Sequence, residues 1–311
     1  MGVLLLAQLP SAVAAIAGRN GRIVVRTGSS EKTVYRSMRP DGSGARRFGV
    51  VGINARWSSD ATWVLYQETG GGPIWKARPD GTEAVQVSDP PASDGQPTWS
   101  PDDEKIVFTR TISYQATRPY AISLFMMRVD GTDLTQLTRD ESFDFQPAWS
   151  PDARRIAFVR CASYNWLLSD CHDAGDLMVV NVDGSDLERL TVTERSESDP
   201  DWAPDSARVA FTCDGAPHAS GTRNPYTKEA PNGGICVLNL RTSRVRMIYA
   251  RHNRGYDPAW SPNGRWITFV VYPRNEENTD AEIYKIRPDG TGLRRLTNNL
   301  RDDLEPQWLA R

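Results

Sequence analysis

The residues best suited to chemistry stand at one repeated position, one residue before the place that a proline occupies in most copies of a tryptophan motif. We call this set the polar crown; it consists of Asn54, Gln96, Gln146, Asp199, Asp257 and Glu305. Oxygen-bearing side chains can hold a hard cation such as calcium, with Asp199, Asp257 and Glu305 as its carboxylates. They can also hydrogen-bond a sugar or a peptide terminus, or simply satisfy strand ends and ordered water.

Motifs for catalysis are absent from the chain. The sequence contains no Gly-x-Ser-x-Gly elbow, no His-Glu-x-x-His pair and no phosphate-binding loop. A metal site made of the three histidines, His172, His218 and His252, would require them to converge from separate loops. We therefore assign no catalytic residue. An enzyme would use a calcium ion on the polar crown to polarise a carbonyl group or activate water, with a neighbouring carboxylate as base.

Six tryptophans mark an internal repeat. They are Trp57, Trp99, Trp149, Trp202, Trp260 and Trp308, at intervals of 42, 50, 53, 58 and 48 residues. After each of the first five come a turn, a β-rich run such as "KIVFTR" (105–110), a second apolar run such as "LFMMRVDG" (124–131), and a third run. Four of the second runs end in Asp-Gly, which favours hairpin turns. The pattern predicts four strands, A to D, in each repeat.

The repeat length and the strand pattern predict an all-β fold. Strands B and C are apolar on both faces, so each sheet must pack between two others. Four-stranded sheets that repeat every ~40–50 residues are typical of a β-propeller. We predict a six-bladed β-propeller with four-stranded antiparallel blades. The tryptophans would fill the wedges between sheets, and Asp or Asn residues such as Asp102 and Asp130 would cap backbone amides in turns.

The two ends of the chain are predicted to share a blade. "RNGRIVVRTG" (19–28) has the second half of the motif, and "EPQWLAR" at the C-terminus supplies the first half. Pairing of the C-terminal strand around Trp308 with the N-terminal blade (22–49) would close the ring. The predicted domains are a signal peptide at 1–17 and one propeller at 18–311, with blades at about 22–49 plus 306–311, 54–88, 97–138, 147–192, 200–249 and 258–297.

The repeated motifs carry a family resemblance. "P-x-W-S-P-D/N-G" before an apolar strand, and then "D-G-T-x-L-x-x-L-T", resemble the PD40 (WD40-like) repeat of TolB-like six-bladed propellers over residues 19–311. Two departures are Ala55 and Ser59 in place of proline, and "RTSR" in place of one Asp-Gly turn. The resemblance implies envelope association and docking of a partner over the mouth of the central channel.

Aromatic residues are concentrated in segments that propeller topology places on one face. The B–C loops are predicted at 111–122, 161–176, 213–234 and 272–281, and the D–A loops share their face. Together these segments carry Tyr114, Tyr120, Phe143, Phe145, Tyr164, Trp166, Tyr226, Tyr256 and Tyr272. Long loops on one side of a rigid scaffold are the expected place for recognition. They suit a protein partner or a stacked sugar equally well.

Composition and the cysteines indicate an exported protein. The net charge of −2 over 311 residues gives no basic footprint for nucleic acid. The apolar opening "MGVLLLAQLPSAVAAIAG" is broken by Pro10 and is shorter than the ~20 residues of a membrane span. It is typical of a signal peptide, although a misassigned start codon or a packed N-terminal helix would also explain it.

Two cysteine pairs each bracket one irregular insertion. Disulfides Cys161–Cys171 and Cys213–Cys236 are predicted, as suits an oxidising compartment, with four buried free thiols as the alternative. We expect a periplasmic or extracellular monomer without a required cofactor. Its predicted function is non-enzymatic binding of an envelope protein or glycan. The alternative is a calcium-dependent lactonase-like hydrolase or a lyase at the channel mouth.

Overall fold

The structure is a computed structural model that describes residues 19–28, 34–50, 52–68, 72–89, 93–112, 121–139, 142–161, 164–165, 170–171, 175–192, 196–213, 233–250, 254–272 and 280–310. These residues form β-strands joined by turns, and none of them is helical. It follows that the described chain contains no helix of the length and apolarity that a membrane span requires.

Twenty-six strands occur within the described residues. In chain order they are β1 (Asn20–Thr27), β2 (Val34–Met38), β3 (Arg46–Arg47), β4 (Ile53–Trp57), β5 (Val64–Gln67), β6 (Ile74–Ala77), β7 (Val85–Gln86), β8 (Asp94–Trp99), β9 (Lys105–Ile112), β10 (Ala121–Arg128), β11 (Thr135–Gln136), β12 (Phe143–Trp149), β13 (Arg155–Cys161), β14 (Tyr164–Asn165), β15 (Asp170–Cys171), β16 (Asp176–Asn181), β17 (Glu188–Arg189), β18 (Glu197–Trp202), β19 (Arg208–Cys213), β20 (Gly234–Asn239), β21 (Arg244–Tyr249), β22 (Arg254–Trp260), β23 (Ile267–Tyr272), β24 (Glu282–Ile286), β25 (Arg294–Arg295) and β26 (Asp303–Ala310).

The strands form mainly four-stranded antiparallel sheets. Four sheets have the orders β26-β1-β2-β3, β4-β5-β6-β7, β18-β19-β20-β21 and β22-β23-β24-β25. A larger sheet contains β8 to β13, β16 and β17, and a single parallel residue pair, Ile122 with Phe143, joins its two halves. Strands β14 and β15 form a separate two-stranded sheet. The predicted all-β class and the predicted antiparallel four-stranded sheets are confirmed.

Neighbouring sheets share hydrophobic cores. Four phenylalanines at equivalent positions of β9, β13, β19 and β23 are fully buried: Phe108, Phe158, Phe211 and Phe269. One cluster joins Val237 on β20 to Phe269 on β23, and another joins Ile23 on β1 to Val270 on β23. Strands of this kind are buried on both faces, which explains why their sequences are continuously apolar instead of alternating.

The C-terminal strand lies in the same sheet as the N-terminal one. Strand β26 pairs antiparallel with β1, with Ile23 opposite Trp308 and Val24 opposite Gln307. Trp308 is 7% exposed and packs with Ile23 and Val25 in one hydrophobic cluster. The chain termini therefore contribute adjacent strands to one four-stranded sheet.

The turn aspartates have the structural role that the repeat predicts. Asp130 accepts hydrogen bonds from the backbone N–H and the hydroxyl of Thr132, at 3.0 and 2.6 Å. Asp102 accepts from the hydroxyl of Ser100 and the backbone N–H of Glu104, at 2.5 and 3.1 Å. These bonds lower the pKa of both carboxyl groups, although burial opposes the shift at Asp102.

One predicted disulfide links adjacent strands. Cys213 on β19 and Cys236 on β20 are bonded, with their Cα atoms 5.9 Å apart. Both residues are buried. Cys161 is disulfide-bonded as well. The side chain of its predicted partner, Cys171, lies outside the described residues.

Candidate functional site

All six residues of the polar crown adopt the left-handed backbone conformation. Their φ angles are 53° for Asn54, 49° for Gln96, 54° for Gln146, 53° for Asp199, 52° for Asp257 and 50° for Glu305. At or beside each one, the pairing of its strand with the neighbouring strand shifts register, as in a β-bulge. A non-glycine residue in this conformation costs roughly 1–2 kcal/mol, so six aligned copies require compensating interactions.

Hydrogen bonds to strands of the preceding repeat provide that compensation at three of the six positions. The backbone N–H of Gln146 donates to Oε1 of Gln96 at 2.7 Å. The backbone N–H of Asp199 donates to Oε1 of Gln146 at 2.9 Å, and that of Asp257 donates to the hydroxyl of Thr212 at 3.1 Å. A bulge takes a residue out of its own ladder, so its amide can bond elsewhere. Gln146, Asp199 and Asp257 are thus each tied to the preceding repeat of the chain.

Two of the three carboxylates of the polar crown accept hydrogen bonds from protein donors. Asp199 accepts from the hydroxyls of Ser198 and Thr212, at 2.9 and 3.1 Å. Glu305 forms an ion pair with Arg26 at 2.8 Å and accepts from the hydroxyl of Tyr35 at 3.3 Å. Burial, and then the charge of Glu305, raise the pKa of Tyr35, which keeps this hydroxyl protonated as a donor.

Burial also changes the titration of the acidic residues. It raises the pKa of Asp199 and, more strongly, that of Asp257. The charge of Asp199 raises the pKa of Asp257 further, whereas the guanidinium of Arg56 opposes the shift. Both side chains are surrounded by protein yet keep partial contact with solvent. Burial beside other carboxyl groups disfavours several ionised carboxylates at once, and a neutral acid has little affinity for a cation.

The predicted calcium site does not fit this arrangement. Within the described residues, no group of three or more His, Cys, Asp or Glu side chains is placed to hold a metal ion. Asp199 and Glu305 already accept hydrogen bonds from protein groups, and the raised pKa of Asp257 opposes its ionisation. We therefore derive no metal-dependent step from Asp199, Asp257 and Glu305.

The predicted partner-binding aromatics fall into three groups. Phe143 lies in β12, is 7% exposed and packs with Ile122 and Cys161. Phe145, also in β12, is half-buried against the same cluster. Both residues were predicted on a loop, so the structure differs from the prediction at these two positions. Tyr256 is half-buried on β22, Tyr272 is 38% exposed at the end of β23, and their rings meet edge to face at 5.8 Å. The other five lie outside the described residues, or have side chains that do: Tyr114, Tyr120, Tyr164, Trp166 and Tyr226. The three histidines, His172, His218 and His252, also lie outside the described residues.

A cavity of about 230 Å³ lies toward the A–B turns, at the end of the first strands away from the polar crown. We call it the tryptophan cavity. All six motif tryptophans line it, as do four motif prolines: Pro101, Pro151, Pro204 and Pro262. The sequence repeat predicts only a structural role for the tryptophans and does not indicate the cavity that they surround.

The residue immediately before each tryptophan gives the tryptophan cavity its polar chemistry. Five of the six such residues line it, namely Arg56, Thr98, Ala148, Asp201 and Gln307. Oε1 of Gln307 accepts from the backbone N–H of Trp57 at 3.1 Å. Oδ2 of Asp201 accepts from the backbone N–H of Trp260 at 2.6 Å. Burial raises the pKa of Asp201 to about 7. A variable residue beside a repeated one was the sequence signal that could have indicated this site.

The comparisons with known proteins identify the fold. The chain is 29% identical over 126 residues to a protein described as "Protein TolB homolog" from Chlorobium luteolum; the match covers 40% of this chain and 24% of the relative. The chain thus spans about a quarter of that relative's length. No protein-family profile matches the chain.

Solved structures match over nearly the whole chain. TolB from Acinetobacter baumannii has a TM-score of 0.68 at 16% identity, over 96% of this chain and 68% of that one. An oligogalacturonate lyase in complex with manganese has a TM-score of 0.59 at 15% identity, over 88% of this chain and 73% of that one. The chain therefore has a TolB-like β-propeller fold, a fold that also occurs in an enzyme.

Proposed function

We propose that the fold is a closed ring of six four-stranded blades formed by residues 18–311. Two observations support this arrangement. The larger sheet has only one residue pair between its halves, so it divides naturally into two blades. The strands β26, β4, β8, β12, β18 and β22 also contact one another in this order, and β22 contacts β26. Strand β26 would then complete the blade of β1 to β3.

In this proposal the propeller is a non-enzymatic binding protein that docks an envelope protein on the face of its B–C and D–A loops. The observation that carries the proposal is the cross-bonding of the polar crown, because hydrogen bonds commit the side chains of Gln96 and Gln146 to joining strands of successive repeats. Such a ring is a rigid support for recognition loops. The similarity to TolB homologues favours a protein as the partner, whereas the arrangement of the crown carboxylates does not favour the enzyme alternative.

Export is the second part of the proposal. The Cys213–Cys236 disulfide supports an oxidising compartment, since such bonds are rare in the cytosol of most organisms. The TolB-like fold is consistent with a periplasmic location. The N-terminal segment 1–17, proposed as a signal peptide, lies outside the described residues.

Site-specific photocrosslinking in cells of the source organism tests the proposed docking face. A photoreactive residue replaces Tyr272, which is 38% exposed at the B–C end of β23. The matched control replaces Leu134, which is 48% exposed near the C–D turn at the other end of its sheet. The expected result is an adduct with one discrete envelope protein from position 272 and none from position 134. Polysaccharide adducts, equal labelling at both positions, or no adduct would contradict the proposal.

A further inference from the structure

We propose that the tryptophan cavity binds a small zwitterion of amino-acid size, whose carboxylate pairs with Arg56 and whose ammonium group pairs with Asp201. This site is distinct from the loop face on which the proposed protein partner docks. It rests on the charges, the size and the walls of the cavity.

The guanidinium of Arg56 is available to a ligand. Its Nη1 donates to the carbonyl oxygen of Ala55 at 3.1 Å, and that is its sole hydrogen bond to the described chain. No carboxylate of the described residues lies within the 4.0 Å that defines an ion pair with Arg56. Arg56 is half-buried, so water compensates its charge incompletely. A guanidinium in such surroundings favours an incoming carboxylate, which it can hold through two parallel hydrogen bonds.

Asp201 offers the complementary charge on the opposite wall. Its Oδ2 accepts from the backbone N–H of Trp260, and the side chain keeps partial contact with solvent. The strands β26, β4, β8, β12, β18 and β22 contact one another in this order, and β22 contacts β26. Two strands therefore separate β4 from β18 in either direction along this series. Arg56 and Asp201 therefore face each other across the channel. The charge of Arg56 acts on Asp201, yet the two side chains form no ion pair, so a gap remains between them.

The size and the walls of the cavity select the class of ligand. Thr98 and Ala148 occupy the positions that hold Arg56 and Asp201 in other strands, and their short side chains leave space between the charges. About 230 Å³ is less than the ~300–1,000 Å³ of sites for drug-sized molecules, so the cavity suits a ligand of amino-acid size. Indole and proline side chains form much of the wall, and an apolar wall strengthens an ion pair at each end of the ligand. Tryptophan also favours a neighbouring ammonium group.

Calorimetry on the full chain with each protein amino acid in turn tests the proposal. The expected result is saturable binding of at least one of them. For that amino acid, the N-acetyl derivative, the amide and the decarboxylated amine should each bind at least about tenfold more weakly, since each lacks one of the two charges. Absence of binding at millimolar concentration would overturn the proposal, as would equal binding of the three analogues.

Variants locate the site. Arg56→Gln and Asp201→Asn should each weaken binding at least about tenfold, because each removes one charge-assisted hydrogen bond. The control is Arg155→Gln, since Arg155 lies over the ring of Trp202 at 5.0 Å but does not line the cavity. Unchanged affinity in both cavity variants, or an equal loss in the control, would refute the assignment. If a variant fails to fold, the analogue series on the natural chain still decides the question.

Discussion

Gln146 and Asp199 hold each other through reciprocal hydrogen bonds across two sheets. The backbone N–H of Asp199 donates to Oε1 of Gln146 at 2.9 Å, and Nε2 of Gln146 donates back to Oδ1 of Asp199. Gln146 lies on β12 and Asp199 on β18, and these strands share no backbone ladder. A single glutamine therefore satisfies a bulged amide and a buried carboxyl group in the neighbouring sheet.

Substitution of Gln146 by Ala tests the structural role of the polar crown. The variant leaves the amide of Asp199 and one oxygen of its carboxyl group without their partners, which costs about 1–3 kcal/mol for each buried group. We expect the free energy of unfolding to fall by about 2 kcal/mol or more. Urea denaturation followed by tryptophan fluorescence gives this quantity.

Gln86→Ala is the matched control for this substitution. The Nε2 of Gln86 also donates a hydrogen bond, to the carbonyl oxygen of Ser88 at 2.8 Å, but Gln86 lies on the exposed outer strand β7. We expect the control to change the free energy of unfolding by less than about 0.5 kcal/mol. Equal effects of the two variants would show that the polar crown carries no special share of the stability.

Sequence alone predicted the strands and turns of the repeat but not the conformation of the polar crown. Asp-Gly turns and buried runs such as "KIVFTR" are short local patterns that recur along the chain, so the sequence pattern is enough to predict these turns and strands. A left-handed conformation is uncommon for glutamine or glutamate, and Gln96 and Glu305 adopt it within bulges whose amides bond across sheets. Neither the bulge nor its partner is visible in the order of residues.

The loop prediction for Phe143 and the unpredicted pair Arg56 and Asp201 both show what depends on tertiary structure. Phe143 was predicted on a loop, yet β12 begins at Phe143 and the ring packs in the core. Arg56 and Asp201 are far apart in sequence, and only the contacts among first strands place them on one cavity. The polar residue types of the polar crown were evident from the sequence, whereas their hydrogen-bond partners depended on tertiary structure.

The A–B turns contain a second left-handed position whose strain can be relieved. Ala153 has a φ of 59°, and Gly264 occupies the corresponding turn position with a φ of 67°. Replacing Ala153 by Gly should stabilise the protein by up to about 1 kcal/mol, because the conformational penalty of alanine exceeds the extra chain entropy of glycine. Thermal unfolding followed by calorimetry measures the change.

The reverse substitution provides the control for that turn. A Cβ atom at Gly264 would lie 3.8 Å from Pro204, an ordinary contact distance, so Gly264→Ala tests the backbone alone. We expect it to destabilise the protein by about 1 kcal/mol. Shifts of the same sign in the two variants would contradict the assignment of strain to these turns.

Truncation tests the proposed closure of the ring by β26. Removing residues 303–311 deletes the partner of β1 and removes buried Trp308 from its cluster. We expect loss of the cooperative unfolding transition, whereas removal of Arg311 alone should leave it unchanged. Trp308→Ala should cost about 3–5 kcal/mol in the full chain. A truncated chain that melts cooperatively near the temperature of the full chain would refute closure by this strand.

The raised pKa of Asp201 makes stability depend on pH in a direction opposite to that of an ordinary ion-paired aspartate. Burial raises this pKa from 3.8 in the unfolded chain to about 7 in the folded protein. Below pH 4 both states are protonated, and the group contributes nothing. As the pH rises from about 4 to about 7, the unfolded state ionises first, so the folded state loses stability.

Asp201→Asn should remove that loss of stability with rising pH, because asparagine does not ionise. Its amide oxygen can still accept from the N–H of Trp260. We expect the variant to match the natural protein near pH 4 and to exceed its free energy of unfolding near pH 8 by on the order of 2 kcal/mol, discounted for the solvent contact of the carboxyl group. Urea denaturation at several pH values measures how the free energy of unfolding changes with pH in the natural protein and in the variant. Asp183→Asn is the control, because hydrogen bonds from Ser185 lower the pKa of Asp183 and its stabilisation is lost as the pH falls. Parallel pH profiles of the natural protein and Asp201→Asn would show that Asp201 ionises normally in the folded state.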